Sequence, residues 1–220
     1  MAASLPPDTD CPEHFPLILA SGSPRRRELL HQLGIPFTVV VSHVDETLDP
    51  GLPPEQQAIA LALCKAEAVA APMARGLVLG ADTIVVIDGE ILGKPENDED
   101  AVRMLRQLSG RAHRVITGVA LINVETGTTD ARAVTSTVHV RALSEEDIEA
   151  YVATGEPRDK AGGYAIQGRG AALIDRWEGS FSNVVGLPLD EVQFLLGEAG
   201  YRFLDQRSVI ARAFPRSASS

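Results

Sequence analysis

The chain has 220 residues, 45% of them hydrophobic and 23% charged, with a formal net charge of −10. That charge argues against broad binding to nucleic acid or anionic lipid, which requires many cations against phosphate, so any phosphate site must be local. No apolar run approaches the ~20 residues of a membrane helix, and Cys11 and Cys64 alone imply no disulfide framework, so the expectation is a cytoplasmic protein with no membrane or nucleic-acid partner.

Residues 1–16 carry Asp8, Asp10 and Glu13 but no lysine or arginine, unlike a secretory signal, and read as a flexible extension. Leu17 to Ala20 then forms a short apolar strand that runs into Ser21-Gly22-Ser23-Pro24. Ser23 suits an N-cap and Pro24 the first helical position, so a helix follows and stops at Gly34. Its first turn holds Arg25, Arg26 and Arg27. Cations oppose the positive end of the helix dipole while the N–H groups there attract anions, so a bound phosphate would relieve the conflict.

Phe37 to Val41 reads as a second strand, followed closely by the adjacent acids Asp45 and Glu46, which repel unless a cation sits between them. Pro53-Pro54 opens a helix from Glu55 to about Ala71, with Ile59, Leu63, Ala66 and Ala70 as its apolar stripe. On that stripe Lys65 lies at the margin and reads as a surface lysine.

The stretch from Leu77 to Pro95, LVLGADTIVVIDGEILGKP, is the centre of the chain. Its aliphatic residues make a buried strand, and Asp88-Gly89 a tight hairpin turn that delivers Lys94 beside it. Asp82 interrupts the apolar run. A carboxylate leaving water is costly, so Asp82 pairs with a cation, binds a metal, or stays at a wet end of the strand.

A helix capped at Asn97 or Asp98 runs through Leu108, with Val102, Leu105 and Leu108 inward. Two β-rich runs follow, 111–123 and 128–140, whose His113 and His139 lack zinc spacing and read as structural. Ser144 with Asp147 starts a further helix that Gly155 stops. The segment 156–170, EPRDKAGGYAIQGRG, has the composition of a loop that approaches a ligand, and concentrates Asp159, Lys160, Tyr164 and Gln167. A strand over 171–177, a polar turn over 179–183 and a closing helix over 188–198 complete the domain, placed at 17–204, with a tail over 205–220.

Seven segments in order resemble one known family: SGSPRR at 21–26, DE at 45–46, GADTIV at 80–85, GKP at 93–95, SGRAHRVITG at 109–118, GEPRDKAGGYAIQG at 155–168 and SNVVGLP at 182–188. They resemble the Maf family of nucleoside triphosphate pyrophosphatases, from about Leu17 to Leu196. The resemblance implies an α/β fold, a mixed sheet bent into two lobes around a groove, similar to inosine triphosphate pyrophosphatases. It also implies a homodimer and a divalent cation, Mg²⁺ or Mn²⁺. Asp82 would be base or metal ligand, with Glu46 sharing the metal. Lys94, Arg26 and Lys65 would hold the triphosphate, Ser21 and Ser23 would frame its N–H donors, and Lys160 would assist.

Arg25, Thr83 and Gln167 resemble the branch acting on dTTP and UTP rather than the sister branch acting on 7-methyl-GTP. One departure is AGGYAIQG where AGAYGIQG is the commoner form, an exchange among small residues. The rival reading is a non-catalytic nucleotide binder that regulates septum formation.

Overall fold

The computed structural model describes residues 16–45 and 51–201. The N-terminal extension up to residue 15, Cys11, Glu46 and the C-terminal tail lie outside the described residues. Within them the α/β expectation holds, as a seven-stranded mixed sheet flanked by helices.

Strand β1 (Leu17–Ala20) is flanked in parallel by β2 (Phe37–Val39) on one side and β3 (Leu77–Ile87) on the other. β2 is two residues shorter than its sequence suggests, although the Val40 N–H still donates to the Leu19 carbonyl. Beyond β3 the sheet turns antiparallel through β5 (Ala112–Asn123), β6 (Thr128–Val140) and β7 (Ile174–Glu178). The Asp88-Gly89 turn has positive φ at both residues, 52° and 84°, the geometry that matches the right-handed twist of the hairpin it closes. It returns the chain as β4 (Glu90–Leu92), antiparallel to β3.

The register creates an opening in the sheet. β1 pairs with residues 77–80 of β3 and β4 with residues 85–87, both on the edge that β5 does not occupy. Residues 81–84 therefore lie between the ends of two strands. Asp82 and Thr83 sit in this notch, at the C-terminal end of parallel strand β1, where open α/β sheets commonly bind ligands.

Alternation along β3 sends the side chains at 79, 81, 85 and 87 to one face. There they meet two core clusters, one including α1 (Pro24–His31) and α6 (Leu189–Glu198), the other α3 (Asp98–Leu108) and α4 (Glu145–Val152). The opposite face packs on α2 (Pro54–Ala70). The inward side of α2 differs from the sequence expectation. Ala58, Leu61, Ala62, Lys65, Ala66 and Val69 are buried, whereas Ile59 and Leu63 are only half-buried.

The cause is close packing at two glycines. A Cβ at Gly80 would collide with the Ala62 carbonyl oxygen, and one at Gly118 with the Ala58 carbonyl oxygen, so the helix backbone rests directly on the sheet. Small alanines fit that contact. Two later boundaries also shift: a 3-10 segment (Gly168–Leu173) precedes β7, and the expected polar turn over 179–183 gives way from Phe181 onward to α5 (Phe181–Val185), capped by Ser180.

Candidate active site

The notch opens into a cavity of about 590 Å³ lined by every described site residue that the sequence singled out: Ser21, Ser23, Arg25, Arg26, Lys65, Asp82, Thr83, Lys94, Lys160 and Gln167. Among the described residues five cationic side chains line it, Arg25, Arg26, Lys65, Lys94 and Lys160, against two carboxylates, Asp82 and Asp159. A protein of net charge −10 thus concentrates positive charge in one concavity, which favours a polyanion there.

The first wall is the turn after β1. Ser21 Oγ accepts from the Ser23 N–H at 3.2 Å, and Ser23 Oγ caps α1 by accepting from the Arg26 N–H at 3.4 Å. No acidic residue stands in the first turn of α1, so its positive dipole end is uncompensated by an acid there. Arg26 folds back into the site. Its Nε donates to the Gly186 carbonyl at 2.8 Å and its Nη2 to Thr83 Oγ1 at 3.0 Å. Arg27, by contrast, is exposed and outside the cavity lining.

The floor is an ion pair. Lys65 Nζ donates to Asp82 Oδ1 at 2.5 Å, and the two residues are 6% and 8% exposed. Lys65 is therefore a buried cation of the site and not a surface lysine. The sequence pattern missed it because an alanine-rich helix gives weak apolar periodicity, and an isolated lysine there reads as solvated. Among the described residues only Oδ1 of Asp82 is engaged, so a second carboxylate oxygen remains for a hard cation, which prefers such ligands. That donor chemistry fits Mg²⁺ or Mn²⁺. The described residues contain no group of three or more His, Cys, Asp or Glu side chains placed to hold a metal.

The far wall is the 156–170 segment, which carries Lys160 and Gln167. Lys160 Nζ donates to the Glu156 carbonyl at 2.7 Å and to Asp159 Oδ1 at 2.6 Å. Burial raises the Asp159 carboxyl, but the hydrogen bond and charge of Lys160, with the charge of Arg25, outweigh it and hold the group below the ordinary carboxylate value. Arg25 Nη1 lies 3.9 Å from Asp159 Oδ2. Gln167 is exposed to the cavity, and Lys94 enters from the residues after β4.

Sequence reasoning left Thr117 and Asn183 without a role. Thr117 is fully buried, bonds Thr83 Oγ1 at 2.9 Å and donates to the Asn183 carbonyl at 3.0 Å. Asn183 Nδ2 in turn donates to the Val115 carbonyl and to Ser136 Oγ. Both residues lie inside quoted motifs, but only the cross-sheet register shows that they meet: Thr83 and Thr117 are direct partners on β3 and β5.

Residues 16–199 match the family described as Maf-like protein. The chain belongs to that family. Maf-like relatives include a protein of Moorella thermoacetica named dTTP/UTP pyrophosphatase, 54% identical over 184 residues that cover 84% of this chain and 95% of its own. A protein of Symbiobacterium thermophilum with the same name is 53% identical, covering 84% of this chain and 94% of its own. A third, from Geotalea uraniireducens and again named dTTP/UTP pyrophosphatase, is 51% identical with coverage of 84% and 95%.

Proposed function

We propose that this Maf-like chain hydrolyses nucleoside triphosphates, foremost dTTP and UTP, adding water to release the monophosphate and pyrophosphate. The names of the relatives support the substrate. The observation that carries the chemistry is the Asp82 carboxylate, set in the sheet notch beside a cavity to which the described residues bring five cationic side chains.

Asp82 acts as base toward the attacking water, or would be a ligand of a divalent cation. Lys65 keeps the Asp82 carboxylate paired and oriented, while Arg26 and Lys94, with the N–H groups at the start of α1, bind the phosphates and stabilise charge on the departing pyrophosphate. A Mg²⁺ or Mn²⁺ ion bound by Asp82 and Glu46 would neutralise phosphate charge and lower the pKa of water there. Lys160 flanks the same anion path.

Base choice is assigned to Arg25, Thr83 and Gln167. Uracil and thymine present two carbonyl acceptors around one N–H donor, and the Gln167 amide offers a donor and an acceptor side by side. The reading also places the protein in the cytoplasm as a homodimer, which fractionation and solution mass measurement would check.

A pyrophosphate-release panel with and without Mg²⁺ or Mn²⁺ tests the activity. dTTP and UTP are expected to exceed GTP, ATP and 7-methyl-GTP, and a chelator to abolish turnover. Preference for 7-methyl-GTP would move the protein to the sister activity, and no turnover on any nucleotide would leave only a binding role.

A further inference from the structure

Gln167 stands at the tip of a pinched loop. A Cβ at Gly170 would collide with the Ala165 carbonyl oxygen and meet Tyr151 Oη at 2.7 Å, so the backbone at 165 and at 170 nearly touches, and 166–169 is the bulge between them. Gly168 at the tip has φ +67°, a conformation that side-chain-bearing residues rarely adopt. Ile166 points into the core and anchors one flank. Gln167 is left facing the cavity.

The pinch is held by two side chains from outside the bulge. Tyr151 Oη, buried at the end of α4, accepts from the Ala165 N–H at 3.1 Å and donates to Glu156 Oε1 at 3.1 Å. Glu156 then accepts from Gly170 N–H through Oε1 at 3.1 Å and from Arg169 N–H through Oε2 at 3.2 Å. One carboxylate thus fixes the chain just after Gln167, and the tyrosine bound to it fixes the chain just before. A carboxylate accepts at both oxygens, whereas the Gln amide nitrogen would confront a backbone N–H with another donor.

We infer that the Tyr151–Glu156 pair is a positioning device for base selection, holding the Gln167 amide at the orientation that matches a uracil or thymine edge. This rests on the base-reading role given above to Gln167. Neither residue lines the cavity, so the pair acts through the loop.

The test compares UTP with CTP, which differ at the ring edge where UTP has an N–H and a carbonyl and CTP an acceptor nitrogen and an amine. Glu156→Gln and Tyr151→Phe are each expected to cut the UTP/CTP ratio of kcat/KM by about tenfold, with CTP turnover held within about threefold of native, as for a lost polar match. In a Gln167→Ala background, adding Glu156→Gln should change the ratio no further. Equal losses on both substrates in a folded variant, an unchanged ratio, or a further change in the Gln167→Ala background overturn the inference. Tyr151→Phe decides it if Glu156→Gln does not fold. A native ratio near one instead overturns the base-reading role itself.

Discussion

Arg26 Nη2 donates to Thr83 Oγ1 at 3.0 Å, and the bond that continues from Thr83 to Thr117 takes its direction from the residue beyond. Thr117 spends its single hydroxyl proton on the Asn183 carbonyl, so Thr83 must donate to Thr117 and accept from Arg26. The result is a one-way chain from guanidinium to backbone carbonyl. With the Gly186 carbonyl on Nε, it fixes Arg26 before any anion arrives.

Arg26→Ala is accordingly expected to lower kcat/KM for dTTP at least tenfold, the scale of a charge-assisted contact of roughly 1.5–3 kcal/mol. Arg27→Ala, on the exposed side of the same turn, should stay within about twofold, as surface substitutions generally do. Thr117→Val breaks the chain without touching the cavity and should fall between them. Steady-state kinetics on the three variants checks the order, and equal losses for Arg26 and Arg27 would refute a specific phosphate contact.

For the ion pair, Asp82→Asn should abolish turnover while the chain still folds. It also removes the carboxylate charge paired with the buried Lys65, which weakens the fold. A lowered denaturant midpoint is therefore expected beside the loss of activity. Near-native turnover would remove Asp82 from the chemistry.

Local rules made most of the fold legible. The Ser23 cap, the Asp88-Gly89 turn and the buried strand β3 each follow from a few neighbouring residues, and each stands in the structure as expected. The inward face of α2 could not be read this way. It depends on glycines 18 and 60 residues distant in sequence from the alanines they touch, whose missing side chains let Ala58, Ala62 and Lys65 turn inward, and a helix read alone shows no trace of them. The site behaved similarly: Asp82 announced itself as a carboxylate in an apolar strand, but Thr117 looks like an ordinary strand threonine until β5 is laid beside β3.

The buried His113 gives a pH signature. Its Nε2 lies 2.6 Å from the Tyr164 hydroxyl and its Nδ1 has no partner, so protonation would bury an unanswered N–H. Burial, with a smaller contribution from the charge of His139, lowers its pKa to about 4. The unfolded chain takes up the proton near pH 6.5, before the folded one does, so stability from this group is full above that pH and drains as pH falls toward 4. The loss is on the order of 3 kcal/mol from a shift of this size. Urea unfolding across this range should show the native protein losing stability that His113→Gln does not lose, and parallel curves would contradict a neutral buried histidine.

Gly118 is the cross-strand partner of Asp82, and Gly80 lies two residues before Asp82 on the same face. A Cβ at Gly118 would meet the backbone of α2 at Ala58, which no rotamer change can relieve, so the helix itself must move. Lys65 is carried on that helix two turns further on and reaches Asp82 only because α2 is seated on the sheet. Gly118→Ala is therefore expected to cost about 3 kcal/mol or more, at or above the upper end of ordinary overpacking, and to reduce dTTP turnover at least tenfold through a site it does not line. Gly197→Ala, at an exposed position of α6 where a Cβ meets nothing, should instead be neutral or stabilise by about 0.5–1 kcal/mol. Thermal unfolding and turnover measured together separate the two effects. Native turnover in Gly118→Ala would show that the close seat of α2 is not what aligns Lys65 with Asp82.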